Sequence, residues 1–332
     1  MKPPDVHPVD MDLIAISNLP WDTYYAPGFG PVFEGPARTV IAAPGEIERW
    51  LDAPGTGRIE GQGAGGSPTN AALAFAGLGG AVTIVGPVAT DTFGDRMRRE
   101  LRRHGVSLRE VKPGPARQAH SLAFRQDNGE RRFLASHPDL EPGASAAGVD
   151  WSGPGWILAS AYELRNPAMR RIVLSGFEEA HIGGRLLAFD LADPNFTRHA
   201  RAAVDQIVGF GLEVLQTGDE AAAVLLGDGV EHAAPRKLGA LARTVLITRG
   251  SGGVRVCHEG AAWDLAAEES EVCDTTGAGD AFLGAFLLGR ARGLAPDHAA
   301  RLGLAAAREA VRVVGTRVPP ERWMELRKAW TI

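Results

Sequence analysis

Cysteine is scarce in this sequence. Its 332 residues include only two, Cys257 and Cys273. They form no C-x-x-C pair and have no zinc-like spacing, which argues against a disulfide framework or a structural zinc site and for a reduced, cytoplasmic setting. An excess of positive charge is also lacking. The formal net charge is −5, so no overall basic field points to nucleic acid or an anionic membrane. The arginines that gather at Arg96–Arg103 read as the solvated face of a helix whose inner face carries Met97 and Leu101. No apolar run approaches the roughly 20 residues that span a bilayer, and the opening residues MKPPDVHPVDMDL carry acids and prolines where a secretory signal has an apolar core. Internal repeats and low-complexity linkers are absent, and the first strand is not followed by G-x-G-x-x-G but by Ser17-Asn18-Leu19-Pro20, which removes the dinucleotide-binding fingerprint. What remains is ordinary globular composition, 45% hydrophobic and 23% charged, in a chain long enough for one large domain with an appendage or for two domains.

The pattern along the chain is mostly alternation of short apolar runs with helical stretches. Leu13–Ile16, Ala81–Val85, Trp156–Ala159, Leu186–Phe189, Gln206–Val208 and Val245–Ile247 read as buried strands. Asn70–Leu78, Phe93–His104 and Ala281–Leu288 read as helices, the first two ended by glycines. Such alternation predicts a parallel sheet covered on both faces. Two stretches break it. Residues 24–66 are rich in Gly and Pro, which suits a small flanking sheet rather than helix, and 121–134 predicts a β-hairpin turning at Asp127-Asn128-Gly129.

The densest chemistry lies in Asp274-Thr275-Thr276-Gly277-Ala278-Gly279-Asp280-Ala281-Phe282. Its small residues let several backbone N–H groups point at one spot, at the positive end of the helix that follows. An anion held there would lie beside Asp280, a carboxylate able to take a proton. Cradle plus base suits transfer of a phosphoryl group to a hydroxyl. Far upstream, Gly65-Gly66-Ser67-Pro68-Thr69-Asn70 places two glycines ahead of a helix that begins with an amide.

Together "GGSPTNAALAFAGLGGAVTIVGPVATDTFGDRMRRELRRHGV" and "DTTGAGDAFLGAFL" resemble the two motif regions of the PfkB, or ribokinase-like, family of carbohydrate and nucleoside kinases. The likeness covers nearly the whole chain and is greatest to the adenosine-kinase-like branch. It implies a single three-layer α/β/α domain over 1–332 with a mostly parallel central sheet and a small β-sheet lid, formed by about 23–66 and 118–138. It implies an ATP- and Mg2+-dependent kinase in which Asp280 is the base and Gly277, Ala278 and Gly279 with the Asp280 N–H form the anion hole. Asp22, Gly65, Gly66, Asn70 and Glu163 fall at substrate-binding positions. Thr248, Gly250 and Gly253, in Thr248–Gly253, fall at nucleotide-binding ones, joined by Thr276, Gly277 and Gly279, with Ala307–Thr316 walling the adenine pocket. The family's N-x-x-E motif reads Thr217-Gly218-Asp219-Glu220 here, so Glu220 is the residue expected to act on the metal through water, with Thr217 in place of the amide. Carbonyls near Asp274, Thr276 and Ala310–Gly315 could form a monovalent-cation site for an ion such as K+. The resemblance also makes a homodimer through the lid an option, supported if the hairpin exposes an apolar face. The acceptor stays open. Asp22 suits the vicinal diol of a sugar, whereas a nucleoside such as adenosine needs an aromatic slot, for which Trp21, Phe124, Phe133 and Tyr162 are candidates. A ligand-binding relative without turnover is the third reading.

Overall fold

The computed structural model describes residues 11–28, 30, 31, 33, 38–43, 45–52, 59–126, 131–227, 237 and 239–332. The hairpin turn expected at Asp127-Asn128-Gly129 and the first ten residues lie outside them. Fourteen strands are present among the described residues, and they fall into two sheets.

The larger sheet has nine strands. Its parallel part runs β6 (Ser107–Glu110), β5 (Val82–Gly86), β1 (Asp12–Ile16), β9 (Gly155–Ser160), β10 (Leu186–Asp190), β11 (Leu212–Gly218) and β12 (Ala242–Thr248). Two strands, β13 (Val254–His258) and β14 (Ala261–Leu265), complete one edge, each antiparallel to its neighbour. Burial on both faces explains why these strands read as continuous apolar runs. Helices Ser67–Gly77, Thr92–Arg103, Ala278–Ala291, Pro296–Val311 and Pro320–Trp330 cover one face, and Pro167–Ile182, Pro194–His199, Arg201–Gly209 and Asp219–Leu226 the other. The result is the expected three-layer α/β/α arrangement. The arginine-rich helix buries Met97 and Leu101 as its spacing requires.

One expected strand is a helix. Gln206–Val208 lies within helix Arg201–Gly209, and the strand of this unit is β11. The buried residues Ala203, Val204 and Ile207 stand at helical spacing, a period that the three-residue apolar reading did not sample.

The second sheet is ordered β3 (Thr39–Ile41), β8 (Arg131–Ala135), β7 (His120–Arg125), β2 (Trp21–Tyr25) and β4 (Ile59–Ala64). Its strands come from the two stretches that broke the alternation. The Gly/Pro-rich stretch also holds one helix, Glu46–Leu51, which the sequence reading did not foresee. This helix packs Ile47, with Trp50 and Leu51, over Tyr25, Leu122, Phe124 and Leu134 on the outer face of the small sheet. The apolar outer face of this sheet is therefore covered by the chain itself. The inner face carries Asp22 and Tyr24, because side chains alternate along a strand. Opposite them in β4 stand Gly63 and Gly61, which have no side chain to fill the space.

Candidate active site

The parallel strands end on one side of the large sheet, and the small sheet lies over that side. Helix Ala278–Ala291 starts there, at Gly277. The backbone of Gly277 is left-handed, with φ 74°, a conformation that glycine adopts without strain. No side chain caps this end, so the first-turn N–H groups of Gly279 and Asp280 have no intrahelical partner. Open donors at a helix N-terminus fit a phosphate.

Asp280 is half-buried in this first turn. Its Oδ1 accepts from the Ser67 hydroxyl at 2.7 Å and its Oδ2 from Asn70 Nδ2 at 2.9 Å. Both donors sit in the first turn of helix Ser67–Gly77, which enters at Gly66 with φ 99°. Burial raises the Asp280 carboxyl above the ordinary carboxylate range, while the bonds from Ser67 and Asn70 pull it back.

Asp22 faces this pair from β2. Its Oδ2 accepts from the Tyr24 hydroxyl at 2.9 Å. Burial pushes it up to about 7, opposed by the Tyr24 bond and by Arg317, and assisted by the charge of Asp280. Gly65 lies directly behind the carboxylate, where any Cβ would collide with it. Arg317 donates to Thr316 Oγ1 at 2.7 Å and Asn70 Oδ1 at 3.3 Å, and pairs with Glu100 at 2.5 Å. The structure thus brings together Asp22, Gly65, Gly66, Asn70, Gly277, Ala278, Gly279 and Asp280.

Glu163 stands apart from that group. It is buried and accepts from the N–H of Asn18 and from both the N–H and the hydroxyl of Ser160, so its bonds brace the ends of β1 and β9. Burial pushes it up to about 7. Among the aromatic candidates, Trp21 and Phe124 point away from Asp22. Trp21 packs with Phe93 in the main core and Phe124 stacks on Tyr25 at 5.0 Å in the outer cluster, which corrects their assignment to an acceptor slot. Tyr162 packs edge-on against Phe196 at 4.7 Å. By its register, Phe133 lies on the inner face.

Of the residues expected on the nucleotide side, Thr248, Gly250 and Gly253 lie at the ends of β11 and β12. Thr248 donates to the Thr217 carbonyl at 3.3 Å, and Gly250 and Gly253 turn the chain into β13 with φ 55° and 85°. The Thr217 hydroxyl is used on its own neighbour, Gly218 O, at 2.8 Å. Asp219 Oδ1 is buried with no hydrogen-bond partner. Glu220 beside it is exposed and lines an open hollow of about 370 Å3 with Arg198 and Arg201. An orphaned carboxylate oxygen and a neighbouring carboxylate at a helix start fit a hydrated magnesium ion. Among the described residues no three acidic, histidine or cysteine side chains form a direct metal cage.

Several participants escaped the sequence reading. Asp190, at the end of β10, accepts from Ser67 at 3.1 Å and from the Ala192 N–H at 3.1 Å. Burial, then the charge of Asp280, pushes it up to about 7. Gln216 donates to Gly279 O at 3.3 Å. Asp274 is a junction. Its Oδ1 holds the N–H and hydroxyl of Thr276, and its Oδ2 holds the Gly315 N–H. Arg131 of the small sheet brings Nε to 2.8 Å of that Oδ2 in a charge contact rather than an aligned hydrogen bond. A signal for Asp190 did exist, a carboxylate at the end of an apolar strand, which is where ligands bind in open α/β sheets.

Comparison with known proteins decides the family. The model of the pfkB family carbohydrate kinases matches residues 51–147 and 217–323, which include both glycine motifs. The chain belongs to the PfkB family. It is a phosphotransferase with an alcohol group as acceptor, and this kinase family implies ATP and typically Mg2+. It is 27% identical to the fructokinase of Escherichia coli over 250 residues, 70% of this chain and 79% of that one. In fold it resembles the adenosine kinase from Sinorhizobium meliloti, with a TM-score of 0.82 and 21% identity over 97% of this chain and 100% of that one. A ribokinase from Thermotoga maritima gives 0.68 and 19%, over 96% and 99%. No helix among the described residues of this PfkB protein is long and apolar enough to cross a membrane.

Proposed function

We propose that this protein transfers the γ-phosphoryl group of ATP to a hydroxymethyl group of a sugar, with Asp280 as base and the Gly277–Asp280 backbone as anion hole. The observation that carries the reading is the position of Asp280. It is a half-buried carboxylate in the first turn of an uncapped helix, held by Ser67 and Asn70 and faced by Asp22. In that place it takes the proton of the acceptor hydroxyl as the O–P bond forms, and the open N–H groups hold the charge of the group in transfer. Asp22 and Asn70, with Gly65 and Gly66 giving room for close approach, hold the sugar hydroxyls. Glu163 supports this site by fixing the loop after β1. Thr248, Gly250, Gly253 and Thr276 line the nucleotide side, and Asp219 and Glu220 would hold magnesium through water. When bound, that ion supplies charge neutralisation at the phosphates. A monovalent cation such as K+ would bind at carbonyls near Asp274, Thr276 and Ala310–Gly315.

The chain is then one kinase domain over 1–332, its lid made of about 23–66 and 118–138, working in the cytoplasm. A homodimer through the lid would have to pair through an edge strand, β3 or β4, since the outer apolar face is covered. Light scattering tests this: one chain has a mass of 35.1 kDa, and twice that supports edge pairing.

A sugar is preferred to a nucleoside because two of four aromatic candidates face away from Asp22. Adenosine stays the second reading on the fold likeness. The test is ADP release with ATP, Mg2+ and a panel of furanose-forming sugars and nucleosides, fructose and adenosine included. Release that depends on a sugar supports the proposal, release with nucleosides alone selects the second reading, and none with any acceptor leaves a silent ligand-binding relative.

A further inference from the structure

One hydroxyl lies between two carboxyls, that of Asp190 buried and that of Asp280 half-buried. Ser67 Oγ is 2.7 Å from Oδ1 of Asp280 and 3.1 Å from Oδ2 of Asp190. A serine hydroxyl has a single proton to donate. Two hydrogen bonds along Asp190–Ser67–Asp280 need two protons, so the second must sit on one of the carboxyls. Like charges brought this close do not ionise independently, and their protons belong to the pair rather than to either member.

We propose that Asp190 is a positioning residue which, through Ser67, shares one proton with Asp280 and thereby sets the basicity of the catalytic carboxylate. The proposal rests on the reading of Asp280 as base. Its consequence is a base that works nearer neutral pH than an isolated aspartate, where proton transfer is best matched. The balance is simple. The observed geometry is the protonated pair. Once that proton has left to solvent, the pair is the active base. The acceptor O–H bond breaks, its electron pair forms the new O–P bond as the bond from phosphorus to the ADP oxygen breaks, and the acceptor's proton restores the shared state through Ser67. Asp190 touches neither acceptor nor nucleotide in this scheme.

The surroundings agree. Burial and the charge of Asp280 both push Asp190 up, to about 7. Charged or titratable groups face the pair from every side. Asp22 adds its charge from β2 and Tyr162 stands by Asp190 from the loop after β9, itself beside Asp193; Arg38, ahead of β3, is the one cation acting on Asp280 among the described residues. The neutral neighbours are Gln216, Asn70 and the Ala192 N–H. Arg38 draws Asp280 down, whereas no cation is among the groups acting on Asp190.

The experiment is the pH profile of kcat for the full-length enzyme with ATP, Mg2+ and its best acceptor, wild type against Asp190→Asn. The amide keeps the size and a donor toward Ser67 but can neither ionise nor share a proton. The expected result is an acid limb moved about one pH unit or more toward lower pH, a plateau kcat lowered about tenfold by the weaker base, and an acceptor KM little changed. An acid limb that stays in place overturns the proposal, whatever happens to kcat, because a purely structural role would not move it. Failure of the base reading looks different: Asp280→Asn would then keep wild-type turnover. Should Asp190→Asn not fold, carbon NMR of aspartate-labelled wild type from pH 5 to 9 decides. Two carboxyls titrating together in two steps support the pair, and independent single steps in the ordinary range overturn it.

Discussion

Asp280 illustrates how a side chain's neighbours define its work. Its two bonds come from a helix more than two hundred residues earlier in the chain, and they orient the carboxylate without neutralising it. Asp280→Asn keeps those contacts in shape and removes the base. The expected outcome is a kcat lowered by about 10²–10⁴ with the KM for ATP little changed, measured as steady-state ADP release. Asp280, Asn70, Gly65 and Gly66 were legible in the sequence because chemistry and local geometry coincide in short strings. Asp190 and Arg131 were not. Asp190 carried only the general signal of a carboxylate at a strand end and Arg131 none, and their partners are set only by which strands lie side by side. Glu163 shows a further gap: a carboxylate next to a strand end reads the same whether it faces a ligand or closes a loop, and only its three internal bonds tell which.

At the scale of elements, the small sheet presents two different faces from a few alternating strands. Trp21 and Asp22 are neighbours in β2, yet one packs in the core and the other lines the site, as the twofold period demands. The short helix Glu46–Leu51 was hidden by the Gly/Pro content around it. Its packing on Phe124 and Leu134 is what closes the outer face. The loop glycine behind Asp22 gives a sharp expectation. In Gly65→Ala the new Cβ collides with the carboxylate, so the acceptor KM rises at least about tenfold while the fold, followed by circular dichroism, is kept. The contact between Arg131 and Asp274 ties this sheet to the turn that precedes the anion hole. Both side chains are almost fully buried, at 2% and 1% exposure. Arg131→Ala leaves Asp274 without its partner, and a loss of about 3–5 kcal/mol in urea unfolding is expected.

For the molecule as a whole, the site is costly to keep charged. Asp22, Glu163 and Asp190 are each pushed up to about 7, mainly by burial. Between about pH 4 and pH 7 the folded chain therefore retains protons that the unfolded chain has released, and these groups lower stability as pH rises through that window. His120 and His137, buried and pushed down to about 4, act in the opposite sense, since the unfolded chain binds protons below about pH 6.5 that they refuse. A difference measurement isolates one term. The stability of Asp22→Asn relative to wild type should increase from pH 4 to pH 7, at most by about 1.4 kcal/mol per pH unit, and then level off. A flat difference in urea titrations would contradict the raised Asp22.

Gly284 lies in the middle of helix Ala278–Ala291, and a Cβ there would collide with the carbonyl of Ala71 and press on Ala74. The helix that presents Asp280 and the helix that presents Ser67 and Asn70 are thus in backbone contact. They can hardly shift against each other, whatever the small sheet does. On the proposed reading, the share of acceptor choice that lies in β2, β4 and β8 can be redesigned without loosening the two helices that orient Asp280.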